Sequence, residues 1–161
     1  GSEYYARLDG VRRCEACGHT NFNNPIASVA VWILDADRNL LLIERANDPG
    51  KGKLAPPGGF LDAGETLEGA AKREVHEEVG LTILDLEYLG SYPNDYLYRG
   101  LTCTVCDTFF TARAATLNPV LDQREATRFV QRPLAAINPA ELAFDSMRVA
   151  LSLLKKRLEI S

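Results

Sequence analysis

Gly59 to Leu81 read GFLDAGETLEGAAKREVHEEVGL, and this stretch decides the fold. Thr66 stands where a residue caps a helix running from about Leu67 to Val79, and Gly80 stands where a left-handed residue ends one. At ~100° per residue, Ala70, Ala71, Glu74 and Glu78 fall within ~60° of Leu67, and Glu77 lies ~80° away. The acids therefore continue the apolar stripe, while Glu68, Gly69, Lys72, Arg73 and His76 lie off it. Carboxylates spaced by three and four residues repel one another, and part burial adds a desolvation cost unless a cation sits among them. Hard oxygen donors suit Mg2+ or Mn2+.

Working upstream, Ala46 to Gly59 holds Pro49, Gly50, Gly52 and the run Pro56-Pro57-Gly58-Gly59, which reads as a loop. It brings bare backbone to the acidic cluster, and a carbonyl of the loop could complete a metal shell. Before it, Ile26 to Leu34 and Leu40 to Arg45 read as two strands of a hairpin around a turn at Asp35 to Asn39. Downstream, Ile83 to Leu89 and Leu101 to Thr111 read as strands around a loop, Ser91 to Gly100, and Thr127 to Gln131 as a shorter strand. Met147, Ala150, Leu151, Leu154 and Leu158 mark a terminal amphipathic helix capped by Asp145 or Ser146. The order β-β-α-β-β-β-α predicts an α+β fold, a mixed sheet sandwiched between helices.

The chain has 161 residues, 46% hydrophobic and 25% charged, which suits one soluble domain with a real core. A net charge of −4 offers no basic field for a nucleic-acid backbone. Phe22 to Leu34 is interrupted by Asn and Pro and is too short for a membrane span of ~20 residues. Glu3 to Arg7 carries no apolar signal segment, so a cytoplasmic address is expected.

The box Gly59, Glu65, Arg73, Glu74, Val75, Glu77, Glu78, Gly80 and Leu81 resembles that of the Nudix hydrolases, G-x5-E-x7-R-E-U-x-E-E-x-G-U with U apolar, at every defined position. Upstream LLIER and PPGGF are similar too, and the likeness runs from about Ile26 to the end. The resemblance implies a Nudix fold over residues 26–161. It also implies Mg2+-dependent hydrolysis of the pyrophosphate in a nucleoside diphosphate linked to another group, such as ADP-ribose, a dinucleotide or NADH. Glu74, Glu77 and Glu78 would bind metal with the Gly59 carbonyl, and Arg73 and Glu65 would orient the helix. The general base is Glu125, just before a strand, or Glu77. Arg45, leaving its strand before the glycine-rich loop, and Tyr98, placed as in dinucleoside polyphosphate hydrolases, are candidates for holding substrate. A non-catalytic nucleotide sensor on the same fold is the alternative, and the resemblance admits a homodimer.

Residues 1–25 carry Cys14-Glu-Ala-Cys17-Gly18-His19, half a zinc knuckle, similar to the ribbon that precedes the Nudix domain of NADH pyrophosphatases. A structural Zn2+ needs four ligands in most sites. Cys103 and Cys106, in an apparent strand, are poor candidates to supply them because residues three apart face opposite ways. The knuckle is therefore expected to be a metal-free remnant, and Cys103 and Cys106 small buried residues. Where NADH pyrophosphatases carry Ser-Gln-Pro-Trp, this chain has Ser91-Tyr92-Pro93-Asn94, which speaks against NADH as the preferred substrate.

Overall fold

The computed structural model describes residues 5–8, 11–22, 24–98, 100–114 and 118–159. Its strands are β1 (Tyr5–Leu8), β2 (Val11–Cys14), β3 (Thr20–Phe22), β4 (Ile26–Leu34), β5 (Asn39–Arg45), β6 (Leu54–Ala55), β7 (Gly58–Phe60), β8 (Ile83–Tyr98), β9 (Leu101–Ala114) and β10 (Ala126–Pro133). The helices are α1 (Leu67–Val79) and α2 (Asp145–Arg157). No helix among the described residues is long and apolar enough to cross a membrane.

The central path of the main sheet runs β10-β5-β4-β9-β8. Every residue from Ser28 to Ile33 in β4 is buried, as a strand covered on both faces requires. β4 runs parallel to β9, with Ser28 beside Asp107 and Ala30 beside Phe109, whereas β8 and β9 form an antiparallel hairpin. The result is the expected α+β arrangement, a mixed sheet between two helices. Trp32 and Phe109 stack at 6.1 Å within the core.

The expected β4–β5 hairpin is open for most of its length. Only Ile33 and Leu34 pair with β5, while Ser28, Val29 and Ala30 pair instead with β7, and Ile43 and Glu44 of β5 pair with β6. The stretch read as loop, 46–59, thus contributes two short strands that wedge β4 and β5 apart. A cleft opens at that wedge, and its position decides where the chemistry sits.

The expected loop Ser91–Gly100 is likewise strand as far as Tyr98. Pro93 is tolerated there because β8 is the edge of the sheet, where a missing N–H leaves no neighbour unpaired. Helix α1 ends as the sequence indicates, with Thr66 Oγ1 accepting from Gly69 N at 3.0 Å and Gly80 at φ 66° donating to His76 O. For α2 the expectation needs correction. Phe144 is the cap residue, without a side-chain hydrogen bond, because Asp145 pairs with Arg148 and the Ser146 hydroxyl is drawn inward to Asp107.

The N-terminal strands β1, β2 and β3 form a separate three-stranded sheet. The knuckle closes between β2 and β3, Gly18 N donating to Cys14 O at 2.8 Å and Cys14 N to His19 O at 2.7 Å. Cys14 is buried and Cys17 exposed. Hydrogen bonds from the Cys17 and Ala16 backbone lower the Cys14 thiol below its ordinary value. Cys103 and Cys106 are half-buried rather than buried: Cys103 lies beyond the stretch of β9 that pairs with β4, and Cys106 stands near its end, opposite Ala27.

Candidate active site

Two glycines bring the α1 carboxylates against the sheet. A Cβ on Gly58 would lie 2.1 Å from Val29 O, so the β7–β4 contact excludes any side chain there. A Cβ on Gly59 would lie 2.6 Å from Glu74 Oε1, so Glu74 occupies the space that glycine leaves. Gly58 N donates to Glu78 Oε2 at 2.8 Å. Burial pushes the Glu78 carboxyl up to about 8, the Gly58 N–H opposes this, and the charges of Glu74 and Glu125 add to it. Burial also raises Glu74, against the pull of Arg73.

Arg73 is the hub of this end. Its Nε and Nη2 grip the two oxygens of Glu65 at 2.9 and 2.8 Å, Nη1 donates to Glu74 at 2.8 Å and Glu77 at 3.0 Å, and Nη2 also donates to Phe60 O at 3.1 Å. All five guanidinium N–H groups are thereby used, which only arginine's planar fork can do. The bidentate contact holds Glu65 down at about 2. Among the described residues, no three His, Cys, Asp or Glu side chains stand ready to hold a metal. Arg73 and Gly58 engage one oxygen each of Glu74, Glu77 and Glu78, leaving a second oxygen on each that no other described residue binds.

Gly58, Gly59, Glu74, Glu77 and Glu78 line a cleft of about 690 Å3, within the range of small-molecule sites. Glu125 lines it too. Its segment docks on the end of α1 through Val120 N to Val79 O and Asp122 N to Glu78 O, and Ala46 N donates to Glu125 O at 2.9 Å. Arg45 lines the cleft as well, with Nε donating to Pro49 O at 2.8 Å and its guanidinium 5.2 Å from the centre of the Phe144 ring, and its charge opposes the rise at Glu78. It makes no ion pair with a carboxylate among the described residues. Tyr96 packs between Phe60 and Phe144, with ring centres 5.4 and 5.7 Å away, and its hydroxyl lies 3.4 Å from Arg45 Nη2.

A Nudix domain model matches residues 24–151. The chain belongs to the Nudix family. Over 60 residues it is 48% identical to an ADP-ribose pyrophosphatase of Methanocaldococcus jannaschii, covering 37% of this chain and 36% of that one. Over 107 residues it is 30% identical to the NAD-capped RNA hydrolase NudC of Vibrio parahaemolyticus, covering 56% and 41%. The aligned stretches thus span well under half of these relatives. Among solved structures, a MutT Nudix hydrolase from Burkholderia pseudomallei superposes with a TM-score of 0.70 at 23% identity, covering 81% of this chain and 98% of that one. The Nudix domain of Shewanella oneidensis NrtR complexed with ADP ribose gives 0.69 at 22% identity, covering 84% and 89%. At such identities the superpositions establish the Nudix fold.

The cleft therefore gathers Gly59, Glu74, Glu77, Glu78, Glu125 and Arg45, with Glu65 and Arg73 bracing its wall. Tyr98 ends β8 opposite Leu101, and its side chain lies outside the described residues. Sequence reasoning missed Tyr96, Asn94, Phe144 and Asp107, all of which line the cleft. The alternation Tyr92, Asn94, Tyr96 was a usable signal of one strand face, masked by the turn-like composition around Pro93.

Proposed function

We propose that the chain is a Mg2+-dependent hydrolase that cleaves the pyrophosphate of a nucleoside diphosphate linked to a second group. The observation carrying this reading is the set Glu74, Glu77 and Glu78, held against Gly58 and Gly59 in a nucleotide-sized cleft that Arg45 and aromatic rings also line. Three carboxylates, each with an oxygen to spare, fit a hard divalent cation. Such an ion, when bound, neutralises pyrophosphate oxygens and acidifies a water.

The chain's own residues supply the rest. Arg73 and Glu65 fix the angle of the carboxylates, Gly59 keeps the wall thin, and Arg45 meets phosphate charge across the cleft. Glu125 removes the proton of the attacking water, with Glu77 the competing base. Residues 26–161 form the catalytic unit, and residues 1–25 with the Cys14–Cys17 knuckle are an appendage to it. The names of the similar proteins make ADP-ribose the first substrate to try and NAD-type dinucleotides the next.

The test is phosphate-product analysis on ADP-ribose, NADH, diadenosine polyphosphates and nucleotide sugars, with Mg2+ or EDTA, for the natural chain and Glu78→Gln. Hydrolysis that needs Mg2+ and falls by about 100-fold or more in the variant supports the proposal. Tight nucleotide binding with no turnover of any compound would replace it with the sensor reading. Glu125→Gln should lower kcat by about 100-fold or more. An unchanged kcat passes the role to Glu77.

A further inference from the structure

One cluster in the cleft is used by none of these roles. Phe60, Ser28, Asp107 and Tyr92 are register partners in a single row across β7, β4, β9 and β8. Strands lie ~4.8 Å apart, so Asp107 sits roughly 10 Å along the sheet from Phe60, the neighbour of Gly59. Asp107 is buried, 8% exposed, yet it lines the cleft. The Ser28 hydroxyl donates to its Oδ1 and the Ser146 hydroxyl to its Oδ2, each at 2.5 Å. Each oxygen of a carboxylate has room for a second donor.

Beside it on the same strand face, two residues from Tyr92, stands Asn94. Among the described residues nothing hydrogen-bonds the Asn94 side-chain amide, which offers N–H donors to the cleft. Tyr96 and Phe144 supply flat walls on which a base can stack. The far end of the cleft therefore presents an acceptor and a donor on one sheet face beside aromatic rings. The Watson–Crick edge of adenine presents the complement, an amino donor next to a ring-nitrogen acceptor.

We infer that Asp107 is the specificity-determining residue of the cleft, accepting a hydrogen bond from the amino group of an adenine whose ring nitrogen is held by Asn94. This rests on the reading of the cleft as a nucleoside-diphosphate site and names the base it selects. Ser28 and Ser146 are positioning residues, which hold the carboxylate between β4 and the first turn of α2.

The test is calorimetric binding to the full chain in EDTA, so that its outcome does not depend on turnover. ADP is compared with purine riboside 5′-diphosphate, which lacks only the amino group, and with 2′-deoxy-ADP and GDP. ADP and 2′-deoxy-ADP should bind alike and at least about 10-fold tighter than the purine compound or GDP. Asp107→Leu should erase that preference, Asn94→Ala should weaken ADP and the purine compound equally, and Ser146→Ala should keep the preference. A natural chain that binds none of the four, or does not separate ADP from the purine compound, overturns the inference whether or not Asp107→Leu folds. Equal affinity for GDP, or loss on removing the 2′-hydroxyl, overturns the choice of group read. Loss of the preference in Ser146→Ala would reduce Asp107 to a brace for α2. Hydrolysis of a pyrophosphate substrate alongside any of these failures would leave the proposed chemistry standing.

Discussion

The two ends of the cleft are built in opposite ways. At the carboxylate end, Gly58, Gly59, Glu65, Arg73, Glu74, Glu77 and Glu78 come from one stretch of 21 residues, and five N–H groups of a single arginine bind it together. At the far end, Asn94, Tyr96, Asp107 and Phe144 come from β8, β9 and the residue that caps α2. The first end is a local device, stiff because its parts are neighbours in sequence. The second exists only when the sheet is complete, and substitutions can alter it without touching the hydrolytic apparatus.

Replacing the glycines tests how stiff the carboxylate end is. Gly58→Ala sets a methyl against backbone that cannot move aside, and should cost about 3 kcal/mol or more of stability, read as a large fall in Tm. Gly59→Ala meets only the flexible end of Glu74, so Tm should change little while turnover falls by about 10- to 100-fold. Equal loss of stability in both variants would show that β7, not Glu74, sets the constraint. Arg73→Lys leaves the charge but removes the fork, and is expected to lower kcat by about 10-fold or more with the fold intact by circular dichroism.

At the far end, Phe144→Ala removes one stacking wall and the surface over which Arg45 lies. A rise in KM of about 10-fold, larger than the loss in kcat, is the expected result. A loss confined to kcat would mean that the two ends are mechanically one unit.

The smallest effects concern pH. Glu78 sits near 8 in the folded chain against an ordinary 4.5. Between those values the unfolded chain has lost this proton and the folded chain keeps it, so stability in EDTA should fall as pH rises from about 4.5 to about 8. Glu65 has the opposite sign. Its folded value near 2 supplies stability that is present above about 4.5 and lost as pH falls toward 2. Thermal melts across pH should therefore peak in mildly acidic buffer, and Glu78→Gln should flatten the alkaline side. Mg2+ competes with the Glu78 proton, so the stabilisation it brings should grow as pH rises over the same window, from about 4.5 to about 8.

The sequence showed α1 to the residue, because capping and a 3.6-residue period depend on neighbours along the chain. It showed the strands of the core for the same reason. It hid the β6–β7 wedge and the outer half of β8, where Pro56, Pro57, Pro93 and Asn94 look like loop and are tolerated only beside short strands and at a sheet edge. Asp107 was invisible as a site. In TVCDTFF it reads as one polar residue of a strand, yet its partners lie 79 residues before it and 39 after.

Local spacing in the sequence accounts for the acidic helix, its glycine approach and membership of the α+β class, since spacing of three and four residues places the carboxylates together in any helix. Only the tertiary structure decided that β4 and β5 part to form a cleft, that Glu125 turns into it, and that Ser28, Asp107 and Ser146 meet at its far end. Register across a sheet is a contact between distant segments, and no local pattern of one strand specifies which residue of another will stand beside it.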